Sequence, residues 1–295
     1  MSRIFLIDAS PYIFRAYYSI PETIVTPDGR MANAAYGFTE FLIQVLKKEN
    51  PSHLAIAFDG SLTTSFRNDI YPAYKAQRTL PPAELEAQMQ ICQEVAMAMG
   101  MRCFVDDRFE SDDLIGTILD QLGKPELRFV IVSNDKDFRQ LVDDQVTIWD
   151  FARDVYFDDS AVQQAWGVRP EQVVDYLALT GDSVDNIPGV KGIGPKSAAF
   201  LLQKFETLAG IYDSLDTIPD LPLRGSRSVR DRLAAGREMA ETSKTLVTIS
   251  AQAPLALTLA DLAYEGAERH QIDPLFDQLG FQRIKDRIPI WREDA

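Results

Sequence analysis

Histidine and cysteine are nearly missing from this chain: its 295 residues hold two of each, His53 and His270, Cys92 and Cys103. So few cysteines make a disulfide framework unworkable and point to a reducing compartment. The histidines and cysteines are scattered, which excludes the nitrogen and sulfur donor sets that hold zinc. Long apolar runs are missing too. No stretch approaches the ~18 residues of a spanning helix, and the N-terminus MSRIFLID has no signal core. Internal repeats, low-complexity tracts and coiled-coil heptads are also wanting. A soluble, cytoplasmic protein with no membrane partner is expected.

Positive charge is scarce. Thirty basic residues face 44 acidic ones, and a net charge of −14 would ordinarily disfavour nucleic acid. The placement of the acids changes that reading. Nine of them fall in five short clusters, each just after an apolar run: Asp8 in IFLIDAS, Asp59 in LAIAFDG, Glu110, Asp112 and Asp113 in FESDDLIG, Asp135 and Asp137 in VIVSNDKDF, and Asp182 and Asp185 in LTGDSVDN. Setting these nine aside leaves 35 acidic residues (44 less nine) against 30 basic, so local basic patches decide what binds.

Apolar runs at 4–7, 54–58, 102–105 and 128–132 are rich in Ile, Val and Phe and read as buried parallel strands. Amphipathic stretches at 34–48 and 82–99 separate them, and VTIWDF at 146–151 is expected to close an edge. From about residue 160 the strand signal fades, and helices are expected over 160–166, 170–180, 195–206, 228–248 and 268–280. Residues 216–231, with Arg224, Arg227 and Arg230, read as the most mobile connection. The expectation is an α/β protein: a three-layer core with a mostly parallel sheet over 1–160, then a helical region over 161–295.

Each acid alone has an ordinary explanation. An Asp after a strand caps the next helix or starts a turn, and Asp112 and Asp113 favour the positive end of a following helix. The joint pattern does not reduce to capping. Ligand sites of open α/β sheets lie outside the carboxyl ends of the strands, where like charges this close stay ionised only around cations. Oxygen-only ligands suit Mg²⁺ or Mn²⁺. Two such ions promote in-line phosphoryl displacement.

Residues 188–202, PGVKGIGPKSAAFLL, supply a second signal. Gly189, Gly192 and Gly194 permit a tight turn and close backbone approach, and Pro195 and Lys196 open a helix. N–H groups at that helix start, with Lys191 and Lys196, make an anion site that grips a phosphodiester without reading its base. A plain Gly-rich connection between helices is the alternative for the glycines alone.

Taken in order, LIDAS…YIFRAYY, AFDG, FR…YPAYKAQR, ESDDLIGT, SNDKDFRQLV and LTGDSVDNIPGVKGIGPKSA resemble the bacterial 5′–3′ exonuclease and flap endonuclease family, including the nuclease domain of DNA polymerase I. The resemblance is specific over about residues 4–205 and weaker to about 285. It implies a PIN-like core and a helix-hairpin-helix-type element that holds duplex backbone. All nine acids match the family's metal-binding positions, with Asp182 and Asp185 completing a second site for one of two Mg²⁺ (Mn²⁺ substituting). The resemblance further implies a K⁺ at the hairpin, held by the backbone carbonyls of Leu179, Thr180, Pro188, Val190 and Ile193.

Residues 66–83 match the family's arch, beneath which a free 5′ end passes. There Arg67, Lys75 and Arg78 are expected above the metals, holding the scissile phosphate, and Tyr74 is expected to stack on an unpaired base; a solvated basic loop is the bland alternative. Arg15 follows the first acid and is the favoured DNA contact among Phe14, Arg15, Tyr17 and Tyr18, with Phe14 and Tyr18 fitting the core. Asn134 and Gln77 depart from the usual family residues, and neither is a metal ligand. The implied protein is a monomeric, structure-specific nuclease acting on DNA with 5′ flaps or overhangs. A PIN-type ribonuclease and a non-catalytic DNA-binding protein are the competing readings. Too little chain follows the nuclease-like region for a polymerase, and the IPIWREDA ending suggests a stand-alone protein.

Overall fold

Six strands, β1 (Arg3–Asp8), β2 (His53–Asp59), β3 (Arg102–Asp106), β4 (Arg128–Val132), β5 (Val146–Asp150) and β6 (Val155–Phe157), form one sheet in the order β3-β2-β1-β4-β5-β6 in the computed structural model. The described residues are 3–61 and 63–292, so the last three residues of IPIWREDA lie outside them. The five long strands run parallel, and β6 pairs antiparallel with β5. The 146–151 run is therefore not the edge as expected. A turn after Asp150 folds the chain back, and β6 takes the outer position. Strand order reverses between β1 and β4, because β2 and β3 extend one way and β4 and β5 the other. Asp8 ends β1 at that switch point, where open α/β sheets place their ligands.

The apolar runs alternate between two cores, as a period-2 strand requires. One face, with Phe5, Ile7, Ile56, Phe58, Val130 and Val132, packs on α1 (Ser10–Ser19), α2 (Asn33–Glu49) and α4 (Ala83–Ala98). The other, with Ile4, Leu6, Ala55 and Ile131, packs on α5 (Ser111–Leu122) and on the helical region. A one-turn helix, α3 (Arg67–Ile70), leads the 66–83 segment.

The helical region contains α6 (Asp159–Trp166), α7 (Val173–Thr180), α8 (Pro195–Phe205), α9 (Leu208–Asp213), α10 (Ser226–Ala235) and α11 (Arg237–Val247). The helix expected over 228–248 breaks at Gly236, whose added Cβ would lie 2.8 Å from Val190 Cγ1. Residues 216–231 are not the open connection expected of them. A 3₁₀ turn over Leu215–Asp220 buries Ile218, and Ser226 Oγ bonds Pro219 O at the start of α10. The chain then returns to the α/β half, where α12 (Arg269–Leu279) and α13 (Gln282–Lys285) pack Phe276, Leu279 and Ile284 into the core under α2 and α4. No described helix is long and apolar enough to cross a membrane.

A buried polar contact joins α2 to α4. Ala32 cannot cap α2, so Gln88 of α4 does so from outside: its Oε1 accepts from Ala34 N at 2.7 Å and Ala35 N at 3.3 Å, while its Nε2 donates to Asn33 Oδ1. Both side chains are essentially inaccessible. Gln88→Leu should therefore destabilise the protein by about 2–3 kcal/mol, because two helix-start N–H groups lose their acceptor without access to water. Urea unfolding would measure it, and an unchanged midpoint would contradict this role.

Candidate functional site

The carboxyl ends of β1, β2 and β4 and the start of α5 bring the acids to one rim. Asp8 Oδ1 accepts from Ser111 Oγ at 2.9 Å and Asp8 Oδ2 from Ser133 Oγ at 2.8 Å. Asp59 accepts from Ser10 Oγ and from Ser111 N, the latter at 2.9 Å. Ser111 thus bridges the ends of β1 and β2. None of these serines was singled out from the sequence, although ESDD places Ser111 between two acids and VSND places Ser133 two residues before Asp135.

Asp135 caps the 3₁₀ turn Lys136–Leu141 after β4, accepting from Asp137 N at 2.9 Å. Across from it, α7 ends at Gly181 and a short bridge between Asp182 and Ile187 closes a loop with both later acids. Carboxylate oxygens of Asp137, Asp182 and Asp185 all lie within 4.8 Å of one another, the one such group among the described residues. Asp137 Oδ1 is buried without a hydrogen-bond partner. An all-carboxylate set with an orphaned oxygen fits a hard divalent cation.

The electrostatics agree. Burial, reinforced by Asp59 and Asp135, pushes the Asp8 carboxyl up to about 7. Burial likewise raises Asp137, with Asp135, Asp185 and Asp182 adding to it, and raises Asp112, with Asp113 adding most. Asp135 is raised by burial and by Asp185. Glu110 moves the other way: burial opposes its charge, yet Lys75 and Arg67 hold it below the usual range.

Arg67, expected at the phosphate, Asp113, expected on a metal, and Tyr74, expected against a base, are each engaged within the protein. Arg67 is 1% exposed and makes a bidentate pair with Asp113 at 2.7 and 2.8 Å, while also donating to Leu246 O and Thr248 O. A guanidinium with its donors engaged beneath the surface does not reach a substrate. Asp113, wholly buried, accepts from Arg67, Glu110 N and Ser250 N, which removes it from the expected metal set. Tyr74 is 3% exposed and donates to Glu110 Oε2 at 3.0 Å, so its ring is not free to stack on a base.

Lys75 and Arg78 lie beside the acids. Lys75 Nζ is 2.7 Å from Glu110 and 3.7 Å from Asp185, and the charges of those acids outweigh burial to raise its ammonium. Arg78 pairs with Asp185, and Lys136 with Asp182 at 2.7 Å. Gln77, one of the departures from the family residues, donates to the carbonyls of Ser183 and Val184. A cleft of about 570 Å³ opens beside these groups, lined by Phe14, Asp59, Asn68, Lys75, Arg78 and Glu110. Phe14 thus lines the cleft while packing partly against the core as expected, whereas Tyr18, also expected there, is 71% exposed. Arg15 lines a separate groove with Lys47 and Lys48.

Helices α7 and α8 flank the glycine-rich hairpin. Lys191, Gly192, Gly194 and Lys196 are exposed on it, and neither lysine is ion-paired among the described residues. Gly189 makes the close backbone approach expected of it, but it is not exposed as a DNA contact. It is buried at φ +60, its N–H donates to Ser243 Oγ, and an added Cβ would lie 2.2 Å from Gly181 N. It allows the hairpin to cross itself and offers no N–H to a phosphate. The carbonyls of Leu179 and Val190 each accept one backbone bond, at 2.9 Å, leaving each a second lone pair.

Two expectations concern the assembled site. Between the ordinary carboxyl value and about 7, the cation-free folded chain binds more protons at Asp8 than the unfolded one, so its stability falls as pH rises through that window. A divalent cation removes this penalty, so the gain in melting temperature over EDTA should be larger at about pH 7.5 than at about pH 5; equal gains would contradict the shared acidic rim. Arg67→Ala should cost about 3–5 kcal/mol in urea unfolding by leaving Asp113 buried and unpaired. A loss under ~1 kcal/mol would return Arg67 to the surface.

Two family models match consecutive parts of the chain. A family model described as 5′-3′ exonuclease, N-terminal resolvase-like domain, matches residues 3–167, and one described as 5′-3′ exonuclease, C-terminal SAM fold, matches residues 168–270. DNA polymerase I of Bacillus caldotenax is 36% identical over 291 residues, covering 97% of this chain and 32% of that protein. The chain thus spans about a third of the length of this relative. Among solved structures, T5 5′-exonuclease with divalent metal ions (zinc) bound superposes with a TM-score of 0.68 at 21% identity, over 94% of this chain and 99% of that one. The catalytic core of Rad2 in complex with DNA substrate gives a TM-score of 0.64 at 14% identity, over 97% and 91%.

Proposed function

This chain belongs to the 5′-3′ exonuclease family, and from that premise we propose that it hydrolyses DNA phosphodiesters where a 5′ single strand leaves a duplex. The observation that carries the reading is the convergence of Asp137, Asp182 and Asp185, a carboxylate set with an orphaned oxygen, next to Lys75 of the cleft wall. A structural acidic patch would have its oxygens satisfied by donors. Here Asp182 and Asp185 accept from Lys136 and Arg78, but Asp137 Oδ1 lies buried among them with no donor and is left for a cation.

A divalent cation is the cofactor, and we assign two Mg²⁺, with Mn²⁺ able to substitute: one among Asp137, Asp182 and Asp185, the other near Asp8, Asp59, Glu110, Asp112 and Asp135. Such ions lower the pKa of water and neutralise charge on phosphoryl oxygens. The chain's own groups do the rest. Lys75 and Arg78 reach the carboxylates from the cleft side, and both are placed to hold nonbridging oxygens of the scissile phosphate and oppose its developing charge. Tyr74 and Lys75 orient Glu110. Phe14, on the cleft wall, offers the flat face on which an unpaired base stacks.

Lys191, Lys196 and the start of α8 hold the duplex backbone, which selects shape and polarity with little base preference. The carbonyls of Leu179, Thr180, Pro188, Val190 and Ile193 border this hairpin, and the free lone pairs of Leu179 and Val190 support a K⁺ there. We take the active species to be a monomer in the cytoplasm, with which two free cysteines accord.

A 5′-labelled flap duplex with Mg²⁺, against an EDTA control, tests the reading. Cleavage at the junction is expected only with metal, Asp137→Asn should abolish it while leaving flap affinity within about threefold, and Lys75→Ala should slow it about 100-fold. Tight binding without turnover would favour a non-catalytic role. Preference for unstructured RNA would favour a ribonuclease on the same core.

A further inference from the structure

The acids come from two halves of the molecule. Asp8, Asp59, Glu110, Asp112, Asp135 and Asp137 belong to the α/β half, whereas Asp182 and Asp185 sit on the loop that continues directly into the hairpin. Helix α11 rides with the hairpin: Ser243 Oγ accepts from Gly189 N, and Gly236 lies against Val190. Anything that sets the distance between the halves therefore sets the distance from duplex grip to cutting site.

The strap that leaves α11, residues 246–257, is stitched to the α/β half almost residue by residue. Asp113, Thr117 and Gln121 recur every four residues along one face of α5, and accept from Ser250 N at 2.7 Å, Ala253 N at 3.0 Å and Leu257 N at 3.4 Å. Gln121 also donates to Leu255 O at 2.8 Å. Gly116 on the same helix leaves room for the strap, since its Cβ would lie 2.7 Å from Ile249 Cγ2. Gln140, in the 3₁₀ turn that starts at Asp135, brackets the strap from the other side by donating to Val247 O and accepting from Ile249 N, both at 2.9 Å. Every one of these anchors stands on an element that also holds site carboxylates: α5 with Glu110 and Asp112, the 3₁₀ turn with Asp135 and Asp137.

We propose that this strap is the spacer that fixes which phosphodiester is cut, with Gln140 and Thr117 as positioning residues. The inference rests on the nuclease reading above. Two neutral hydrogen bonds from Gln140, each contributing about 0.5–1.5 kcal/mol, hold the register between the halves, and losing them lets the hairpin settle at neighbouring distances. Neither side chain touches the cleft.

The test is single-nucleotide mapping of products from a 5′-labelled flap duplex with Mg²⁺, for the full chain, Gln140→Met and Thr117→Val. Gln140→Met keeps the side-chain length and removes both strap bonds, together with a local bond from Nε2 to Asp137 O at 3.0 Å, a contact that Thr117→Val leaves untouched. The ratio of the main product to those cut one nucleotide away should fall about tenfold in Gln140→Met and about threefold in Thr117→Val. Gln140→Glu, which retains the acceptor for Ile249 N, should recover part of the ratio. Thr117→Val keeps the test decisive if Gln140→Met folds poorly. An unchanged ratio in folded variants, whatever their melting temperature or rate, overturns the proposal, since a merely structural strap would alter those and leave the cut position alone. Failure of the unsubstituted protein to cut the flap at all would overturn the proposed function instead.

Discussion

Carboxylates crowded at the rim of a parallel sheet repel one another, and much of the surrounding structure manages that repulsion. Ser10, Ser111 and Ser133 donate to Asp8 and Asp59, so the central strands end in hydrogen-bonded rather than bare charge. Lys75, Arg78 and Lys136 approach from the other side and pair with Glu110, Asp185 and Asp182. These donors do not use up the oxygens. The Asp8 carboxyl is still pushed up to about 7, and Asp137 keeps an unpaired buried oxygen. A rim so arranged is incomplete without cations, and folding alone does not relieve it.

The second consequence concerns where the acids come from. Six belong to one side of a seam and two to the other, so the site exists only when the helical region is docked. Apolar packing contributes, since one core runs from Ile4 and Leu6 through α5 to Leu177, Leu201 and Leu246. Apolar packing has little directional precision, however. The polar stitches of Arg67, Asp113, Thr117, Gln121 and Gln140 supply it, because each hydrogen bond works only within a few tenths of an ångström. The return of α12 to the opposite face of the sheet ties the end of the described chain to the other core.

Much of this was legible in the residues. The four leading apolar runs became strands because β-branched and aromatic residues in short blocks have few other ways to bury both faces. Acids directly after such runs had to lie at one edge once the strands ran parallel. The hairpin was legible from its glycines and from Pro195, whose fixed φ starts a helix. Less legible was what each residue in a motif does. Arg67 and Tyr74 stand in a basic, polar segment that reads as exposed, and they are buried because a strap from residues 246–250 closes over the first and two acids draw in the second. Pro and Gly in 216–231 suggested mobility, yet Pro219 sits inside a 3₁₀ turn that packs Ile218 inward.

What the sequence by itself determined is therefore the local grammar: strand or helix, where each element stops, and which chemistry gathers at the stops. Those properties follow from residues within a turn or two of one another. Tertiary structure alone decided which members of that chemistry face a substrate. Asp112 and Asp113 are adjacent in the chain, but one is turned toward the acidic rim and the other is enclosed with Arg67, because consecutive residues on a helix point about 100° apart and only the packed surroundings say which direction is inside.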